Sequence, residues 1–165
     1  AAPSHLKVVI DSLKQAGVTI ETGRDWVKVS NPSKIINPVN MVTAIYPGFP
    51  TDLQAQWMAL MTRAYGHSII IDDIYTDRFT HIAELSRFGA HIQLTQNKAE
   101  IHGADKLRGA PVMSTDIRAS ASLILAALAA EGKSEISRIY HIDRGYENIE
   151  TKLRGVEANI VRRKS

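Results

Sequence analysis

Leu13-Lys-Gln-Ala-Gly17-Val-Thr-Ile20 is the stretch that decides the fold, because its pattern returns twice later in the chain. The further copies are Leu85-Ser-Arg-Phe-Gly89-Ala-His-Ile92 and Leu153-Arg-Gly-Val-Glu157-Ala-Asn-Ile160. In the first two copies an amphipathic helix ends at a glycine, which adopts a left-handed conformation at low cost, and a strand follows. The third copy has Glu157 at the glycine position, so we expect its helix to end by another geometry that uses Gly155 or Asn159.

The residues around these joints predict a helix followed by a hairpin. Apolar side chains recur at helical spacing before each joint, and short alternating segments separated by turn residues follow the first two. The predicted elements are a helix over 4–16 with strands at 18–21 and 26–29, a helix over 79–88 with strands at 92–94 and 99–101, and a third copy of the same order from residue 146.

A second repeated unit lies between these joints. It opens with Thr51-Asp52-Leu53-Gln54-Ala55 and again, 64 residues later, with Thr115-Asp116-Ile117-Arg118-Ala119. Each copy begins an apolar helix, continues into a strand predicted at 68–75 or 134–140, and ends in an Asp-Arg pair. The later helix, over 119–130, is apolar nearly all round, so we expect it to be the most deeply buried.

These patterns predict an α/β fold in which residues 1–165 form a single domain of internal repeats, at about 1–45, 46–110 and 111–165. Each full repeat reads as βαβαββ. Its helices cannot bury their apolar faces alone, so we expect the repeats to stack around a shared helical core.

Composition excludes several classes of function. The 165 residues contain no cysteine, so disulfides, thiolate metal sites and cysteine nucleophiles are absent from this chain. The six histidines lack metal-ligand spacing and are interpreted as surface or strand residues, so neither a metal nor a cofactor is expected. The net charge of +3, which Arg162-Arg163-Lys164 alone would supply, is poor support for nucleic acid binding. No membrane span or signal peptide is predicted, a cytoplasmic protein is expected, and the start at Ala1 favours a processed chain.

Asp52 is the first candidate for chemistry. Thr51-Asp52-Leu53-Gln54 has the form of a capping box, in which Thr51 accepts from the Gln54 amide and Gln54 reaches back to Thr51. Asp52 is therefore either a helix-start charge, favoured by the helix dipole, or a functional carboxylate. The preceding Tyr46-Pro-Gly-Phe-Pro50 favours function, because two prolines and a glycine make a rigid loop that presents the helix start in one orientation.

Asp116, Arg118 and Arg144 are further candidates. Asp116 and Arg118 point to different sides of a helix start, so we expect them to serve separate partners, the alternative being a capping Asp116 and a solvated Arg118. Arg78 and Arg144 recur at the same place after Ile-Tyr, where a planar guanidinium suits a carboxylate or phosphate. Arg144 is the stronger candidate, because Gly145 lets a ligand approach the backbone.

Tyr46-Pro-Gly-Phe-Pro-Thr-Asp-Leu-Gln-Ala-Gln56 resembles the UDP-N-acetylglucosamine 1-carboxyvinyltransferases of the enolpyruvyl transferase family. The resemblance continues through residues 77–79, 109–122 and 138–146 and so covers nearly the whole chain. The departures from the family pattern, at Trp57, Ser114 and Glu157, touch no site position. The shikimate-phosphate transferases share the implied fold but are not expected to carry Pro-Gly-Phe-Pro-Thr-Asp.

The resemblance implies an inside-out α/β barrel with helices inside, of which this chain is most of the C-terminal domain. It implies transfer of the enolpyruvyl group of phosphoenolpyruvate to the 3-hydroxyl of UDP-N-acetylglucosamine, the first committed step of peptidoglycan synthesis. Asp52 matches the aspartate that contacts this hydroxyl and acts as its base, and Ile74 matches a position whose backbone contacts the nucleotide sugar. Asp116 matches an essential carboxylate, and Arg118 and Arg144 match the arginines associated with catalysis and phosphoenolpyruvate.

In the family, a cysteine-bearing loop and a lysine-asparagine pair belong to the N-terminal domain, which would be the partner of this chain. We therefore expect the chain alone to lack transferase activity and to bind the nucleotide sugar weakly, since half of the cleft is missing. The alternative, from another functional class, is a non-catalytic binding or interaction domain that retains the fold. The presence of Asp52, Asp116, Arg118 and Arg144 argues against it.

Overall fold

The computed structural model describes residues 2–163, so Ala1, Lys164 and Ser165 lie outside the described residues, including the last cation of the C-terminal basic run. The helices are α1 (Lys7–Gln15), α2 (Gln54–Met61), α3 (His81–Arg87), α4 (Ile117–Ala129), α5 (Tyr140–Asp143) and α6 (Ile149–Arg154). The strands are β1 (Thr19–Thr22), β2 (Val27–Ser30), β3 (Met41–Val42), β4 (His67–Ile71), β5 (His91–Thr95), β6 (Lys98–His102), β7 (Leu107–Arg108), β8 (Pro111–Met113), β9 (Ala130–Glu131) and β10 (Glu135–Ser137). Short 3-10 helices, Pro3–Leu6 and Thr51–Leu53, precede α1 and α2.

The largest sheet has four strands in the order β3-β4-β6-β5. β3 and β4 are parallel and are connected through α2, whereas β6 is antiparallel to both of its neighbours and forms a hairpin with β5. Residues 41–102 therefore follow the order βαβαββ that was predicted for one repeat. The hairpin β5–β6 is the counterpart of β1–β2, and both follow a helix and a glycine joint.

The later part of the chain repeats the parallel crossover. β8 and β10 are parallel and are connected through α4, and β7 pairs in parallel with β9. The strands of residues 2–163 lie in four separate sheets, so the described part of the chain does not close a barrel. The α/β character of the prediction is confirmed.

The core is formed where α2 packs against α4 beneath the large sheet. Met58 and Met61 of α2 and Leu123 of α4 are fully buried, and each such side chain stabilises the fold by roughly 1.5–3 kcal/mol. The prediction that α4 is the most buried helix is wrong, because Leu125 and Leu128 on one side of it are 45% and 39% exposed. α2, with six of its eight residues buried, is covered more completely.

The three joints share one geometry, including the one that lacks glycine. Gly17, Gly89 and Glu157 have φ of 90°, 87° and 66°, all left-handed. Each donates its N–H to the carbonyl three residues earlier, and the next residue donates to the carbonyl five residues earlier. The expectation that the third helix ends by another geometry, through Gly155 or Asn159, is wrong. The two hydrogen bonds that close the helix require a left-handed residue at this position, and Glu157 adopts that conformation despite its side chain.

Two strand ends also differ from prediction. The strands expected over 68–75 and 134–140 end at Ile71 and Ser137, before the Ile-Tyr pairs. The second of these pairs leads into α5 rather than ending a strand, since Arg138 takes a φ of 55° and turns the chain away from β8. The third copy of the helix-hairpin order contains α6 and its cap, but no strand follows within residues 157–163.

We expect Glu157→Gly to raise the free energy of unfolding by about 1 kcal/mol, because glycine removes the cost of a side chain in the left-handed conformation. Gly89→Ala should lower it by a similar amount, and this change reports the backbone alone because nothing lies within 4 Å of the added Cβ. Chemical denaturation measures both. Glu157→Gln controls for the loss of charge, and equal stability of the Glu157→Gly and Glu157→Gln variants would contradict the argument.

Candidate functional site

Asp52 lies at an exposed turn where two arginines converge on one of its oxygens. Its side chain is 66% exposed on the 3-10 helix that follows the proline-rich loop. Arg118 donates from Nε to Asp52 Oδ1 at 2.6 Å, and a second guanidinium nitrogen lies 2.5 Å from the same oxygen. A nitrogen of Arg78 lies 3.5 Å from it. The other oxygen, Oδ2, accepts no hydrogen bond from residues 2–163, so it can accept one from a ligand.

The loop before Asp52 is held to the sheet by backbone pairing. Thr43 and Phe49 form a parallel bridge, and Ala44 donates its N–H to the Phe49 carbonyl at 2.9 Å. The Tyr46–Pro47 bond is cis. The Phe49 ring is buried edge-on against Trp57 of α2, with centroids 5.3 Å apart. The loop therefore presents Asp52 from a fixed position, as its prolines suggested.

Asp116 and Arg118 have separate partners, as predicted. Asp116 is the N-cap of α4, and its Oδ1 accepts from the backbone N–H groups of Arg118 and Ala119 at 2.8 and 3.0 Å. Its Oδ2 lies 3.5 Å from the Thr80 hydroxyl. The alternative of a capping aspartate is thus correct for Asp116, whereas that of a solvated Arg118 is wrong, because Arg118 pairs with Asp52 of the preceding repeat.

Asp72 organises this site from beneath, although sequence reasoning did not select it. The carboxylate is fully buried and accepts from the hydroxyls of Thr43 and Thr51, both at 2.7 Å. It also accepts from the backbone N–H groups of Ile74 and Tyr75 at 3.0 and 2.9 Å. The available signal was its position directly after β4, since strand ends are where functional groups collect in α/β folds.

Thr51 connects Asp72 to the exposed charges. Because the Thr51 hydroxyl donates to Asp72, its lone pairs face Arg78, which donates to Thr51 Oγ1 at 2.9 Å. Arg78 also lies 3.8 Å above the Tyr75 ring, whose position is set by the Asp72 turn. The predicted capping box is therefore wrong. Thr51 is engaged elsewhere, and Gln54 is buried with neither side-chain oxygen nor nitrogen bonded within the described residues.

The pKa of Asp72 lies below its ordinary value. Burial by itself opposes ionisation, but the N–H of Tyr75, the hydroxyls of Thr43 and Thr51 and the N–H of Ile74 together outweigh it. The carboxylate is therefore charged at neutral pH with its oxygens fully engaged. Ile74, expected to contact a ligand through its backbone, is fixed by one of these hydrogen bonds.

Arg144 lies near this group without joining it. No hydrogen bond or ion pair links its side chain to Asp52, Asp116 or Arg118 within residues 2–163. Its neighbour Gly145 approaches the first turn of α4 so closely that a Cβ would lie 2.3 Å from Ile117 Cδ1. The segment that carries Arg144 thus packs beside the helix start that holds Asp116 and Arg118.

His81 contradicts the prediction that every histidine lies at the surface or on a strand. It is buried in α3, 2% exposed, and its Nε2 has no partner within the described residues. Burial lowers its pKa to about 4, and the charge of Asp116 opposes this only in part. His81 is therefore neutral at physiological pH.

Residues 2–163 contain neither a metal site nor a membrane-spanning helix. No group of three or more histidine, aspartate or glutamate side chains is placed to hold a metal ion. No helix in this range is long and apolar enough to cross a membrane.

Comparison with known proteins identifies the family. The family model described as EPSP synthase (3-phosphoshikimate 1-carboxyvinyltransferase) matches residues 1–153. The chain belongs to the EPSP synthase family. This membership agrees with the resemblance to enolpyruvyl transferases seen in the sequence.

Curated relatives within the family carry a more specific name. UDP-N-acetylglucosamine 1-carboxyvinyltransferase of Chlorobium chlorochromatii is 54% identical over 164 residues, which cover 99% of this chain and 38% of that protein. The protein of the same name from Rhodopseudomonas palustris strain BisA53 is 55% identical over 98% of this chain and 38% of its own length. The chain thus spans less than two fifths of the relatives it matches, and the prediction of a fragment is confirmed.

Solved structures of the family support the fold. The enolpyruvyl transferase NikO from Streptomyces tendae superposes with a TM-score of 0.88 at 28% identity, over 97% of this chain and 37% of that one. EPSP synthase from Acinetobacter baumannii, with a TM-score of 0.56 and 18% identity over 79% of this chain and 31% of its own, shows a similar fold. The predicted enolpyruvyl transferase-like fold class is confirmed.

Replacement of Asp72 by asparagine should lower the free energy of unfolding by about 1–3 kcal/mol at pH 7, because a buried network of four donors loses its charged acceptor. The hydrogen bonds that lower the pKa of Asp72 stabilise the native state, and their contribution is fully present at neutral pH, where Asp72 is ionised. This contribution falls as the pH drops below 3.8 and through the lower native pKa. Urea denaturation at pH 7 and at pH 3 should therefore show a smaller difference between wild type and variant at pH 3.

Asp73→Asn is the matched control, because this neighbouring carboxylate is exposed and accepts from the Asn97 side chain at the surface. It should change the stability by less than about 0.5 kcal/mol at either pH. An Asp72→Asn variant as stable as this control would show that Asp72 does not organise the site.

Proposed function

We propose that this chain forms most of the C-terminal domain of a UDP-N-acetylglucosamine 1-carboxyvinyltransferase. In this reaction the enolpyruvyl group of phosphoenolpyruvate is transferred to the sugar 3-hydroxyl and phosphate is released. The names of relatives above 50% identity support the proposal. The observation that carries it is Asp52, whose Oδ1 accepts a hydrogen bond from Arg118 while its Oδ2 accepts none from residues 2–163.

Asp52 is suited to act as the base toward the sugar hydroxyl. Arg118 donates to Oδ1 and Arg78 lies nearest to the same oxygen, so the two arginines orient the carboxylate while Oδ2 can accept a proton at hydrogen-bond distance. As the proton passes to Asp52, the hydroxyl oxygen bonds to C2 of phosphoenolpyruvate and C3 takes a proton from an acid that the partner domain would supply. Loss of a proton from C3 and of phosphate from C2 then gives the enolpyruvyl ether.

The remaining predicted site residues receive roles that fit their surroundings. Arg144 carries a guanidinium that is unpartnered within the described residues, which suits the phosphate and carboxylate of phosphoenolpyruvate. Arg118 orients Asp52, and Asp116 orients Arg118 by capping the first turn of its helix. The Ile74 backbone contacts the nucleotide sugar from a turn that Asp72 fixes.

The proposal includes a partner domain that carries the cysteine loop and closes the cleft. Asp52 is 66% exposed in this chain, and proton transfer and charge stabilisation are most effective where water is excluded. The chain alone should therefore be inactive. The intact protein would act in the cytoplasm, in the formation of peptidoglycan precursors.

A non-catalytic domain is the competing function. It would retain the α2–α4 packing, since that forms the core. A purely structural role does not require an exposed carboxylate whose second oxygen accepts no hydrogen bond from residues 2–163. Phosphate release by the full-length protein, and its dependence on Asp52, distinguishes the two functions.

Asp52→Asn should lower kcat for phosphate release by at least about 100-fold in the full-length protein, because the amide cannot accept the hydroxyl proton. Asp77→Asn is the matched control, since Asp77 is an exposed carboxylate that forms no ion pair with Arg78 or Arg118 within the described residues. This change should leave kcat within about twofold. The assay measures phosphate released from phosphoenolpyruvate and UDP-N-acetylglucosamine. The same assay on the isolated chain should show none.

Two results would contradict the proposal. One is phosphate release by the isolated chain at a rate near that of the full-length protein. The other is an Asp52→Asn protein that folds and retains wild-type kcat, which would favour a different base.

A further inference from the structure

Arg162, near the C-terminus, binds two carboxylates at once. Its terminal nitrogens donate to the two oxygens of Asp143 at 2.9 and 2.7 Å. Its Nε and one terminal nitrogen donate to the two oxygens of Glu150, both at 3.0 Å. The guanidinium thus makes two bidentate pairs, an arrangement that its planar set of donors permits and a lysine ammonium does not.

The two carboxylates border the loop that begins with Arg144. Asp143 is the last residue of α5, and Glu150 lies in the first turn of α6. Residues 144–148 connect these two helices. One guanidinium therefore fixes both ends of the loop.

The segment that carries Arg162 is itself anchored. Ile160 packs into a small apolar cluster around the buried Ile142 of α5. Arg154 of α6 donates from Nε to the Ile160 carbonyl at 2.7 Å. These contacts anchor the chain two residues before Arg162, independently of the Arg162 ion pairs.

The loop also contacts α4, where Gly145 approaches Ile117. The chain on both sides of Arg144 is therefore fixed, by the Asp143 pair with Arg162 and by this approach, while the Arg144 side chain has no hydrogen bond or ion pair within residues 2–163. The position of this guanidinium depends on the loop rather than on contacts of its own.

We propose that Arg162 is a positioning residue for Arg144, which sets where the Arg144 guanidinium meets the anionic substrate. This inference rests on the proposed function, in which Arg144 binds phosphoenolpyruvate. Hydrogen bonds from Arg162 lower the pKa of both Asp143 and Glu150, so the pairs are fully charged at neutral pH.

The test compares Arg162→Ala and Arg162→Lys with Arg163→Ala in the full-length protein. Arg163 is the matched control, because it is the next residue, is exposed, and makes no ion pair within the described residues. Calorimetry gives the affinity for phosphoenolpyruvate in the presence of UDP-N-acetylglucosamine, and steady-state kinetics give KM for each substrate.

Arg162→Ala should weaken phosphoenolpyruvate binding and raise its KM by about tenfold, with KM for the nucleotide sugar within about twofold, because a displaced guanidinium loses its alignment with the anion. Arg162→Lys should do nearly the same, since it keeps the charge but not the two bidentate pairs. Arg163→Ala should match wild type. In an Asp143→Asn, Glu150→Gln background, Arg162→Ala should have little further effect.

An unchanged affinity for phosphoenolpyruvate in folded Arg162→Ala and Arg162→Lys proteins would overturn the inference. So would equal losses for both substrates together with a lower Tm, the result of a purely structural role. If wild type binds phosphoenolpyruvate in an Arg162-dependent way but transfers nothing, the proposed function fails and the positioning role stands.

Discussion

The packing of α2 against α4 is the contact on which the rest of the structure depends. Each helix is the crossover between two parallel strands, β3 and β4 for α2 and β8 and β10 for α4, and each buries large apolar residues against the other. Because the two helices begin with the same Thr-Asp pattern and lie side by side, their first turns meet at one end of the core. That meeting brings Arg118 of one repeat to Asp52 of the other. A site shared between repeats is thus a consequence of burying two apolar helices.

The equivalent aspartates of the two repeats, Asp52 and Asp116, have different roles, and the buried Asp72 is the reason. Asp116 satisfies two N–H groups at the start of α4, which is the ordinary use of an aspartate at a helix start. Asp52 caps no backbone N–H groups within the described residues, because a 3-10 turn precedes α2 and Thr51 is drawn down to the buried Asp72. Asp52 is thereby left exposed with arginines beside it. An exposed pair of this kind contributes little stability, of the order of 0–1 kcal/mol, so its value is in orienting the carboxylate.

Much of the local structure could be predicted because it follows from short-range patterns. The helix before Gly17, the hairpin that follows it and their copies around Gly89 come from apolar spacing and turn residues. The errors occurred where tertiary contacts outweighed local preference. Thr51 donates to the buried Asp72 instead of forming a capping box. Glu157 adopts a left-handed conformation, which completes two hydrogen bonds at the end of its helix. His81 is buried although its ring is polar. For Thr51 a long-range contact, and for Glu157 the closure of a repeated motif, exceeded a local preference of about 1 kcal/mol.

The sequence by itself determined the repeats, the order of helices and strands over residues 41–102, the absence of thiol chemistry and Asp52, Asp116, Arg118 and Arg144 as candidates, since these depend on residue type and spacing along the chain. Only the tertiary structure decided which of them meet. It joined Arg118 to Asp52, placed Asp72 beneath both Thr51 and Ile74, and closed the Arg144 loop with Arg162. These pairs are separated by up to 66 residues. Their geometry is set by how helices and sheets pack in three dimensions, which spacing along the chain does not encode.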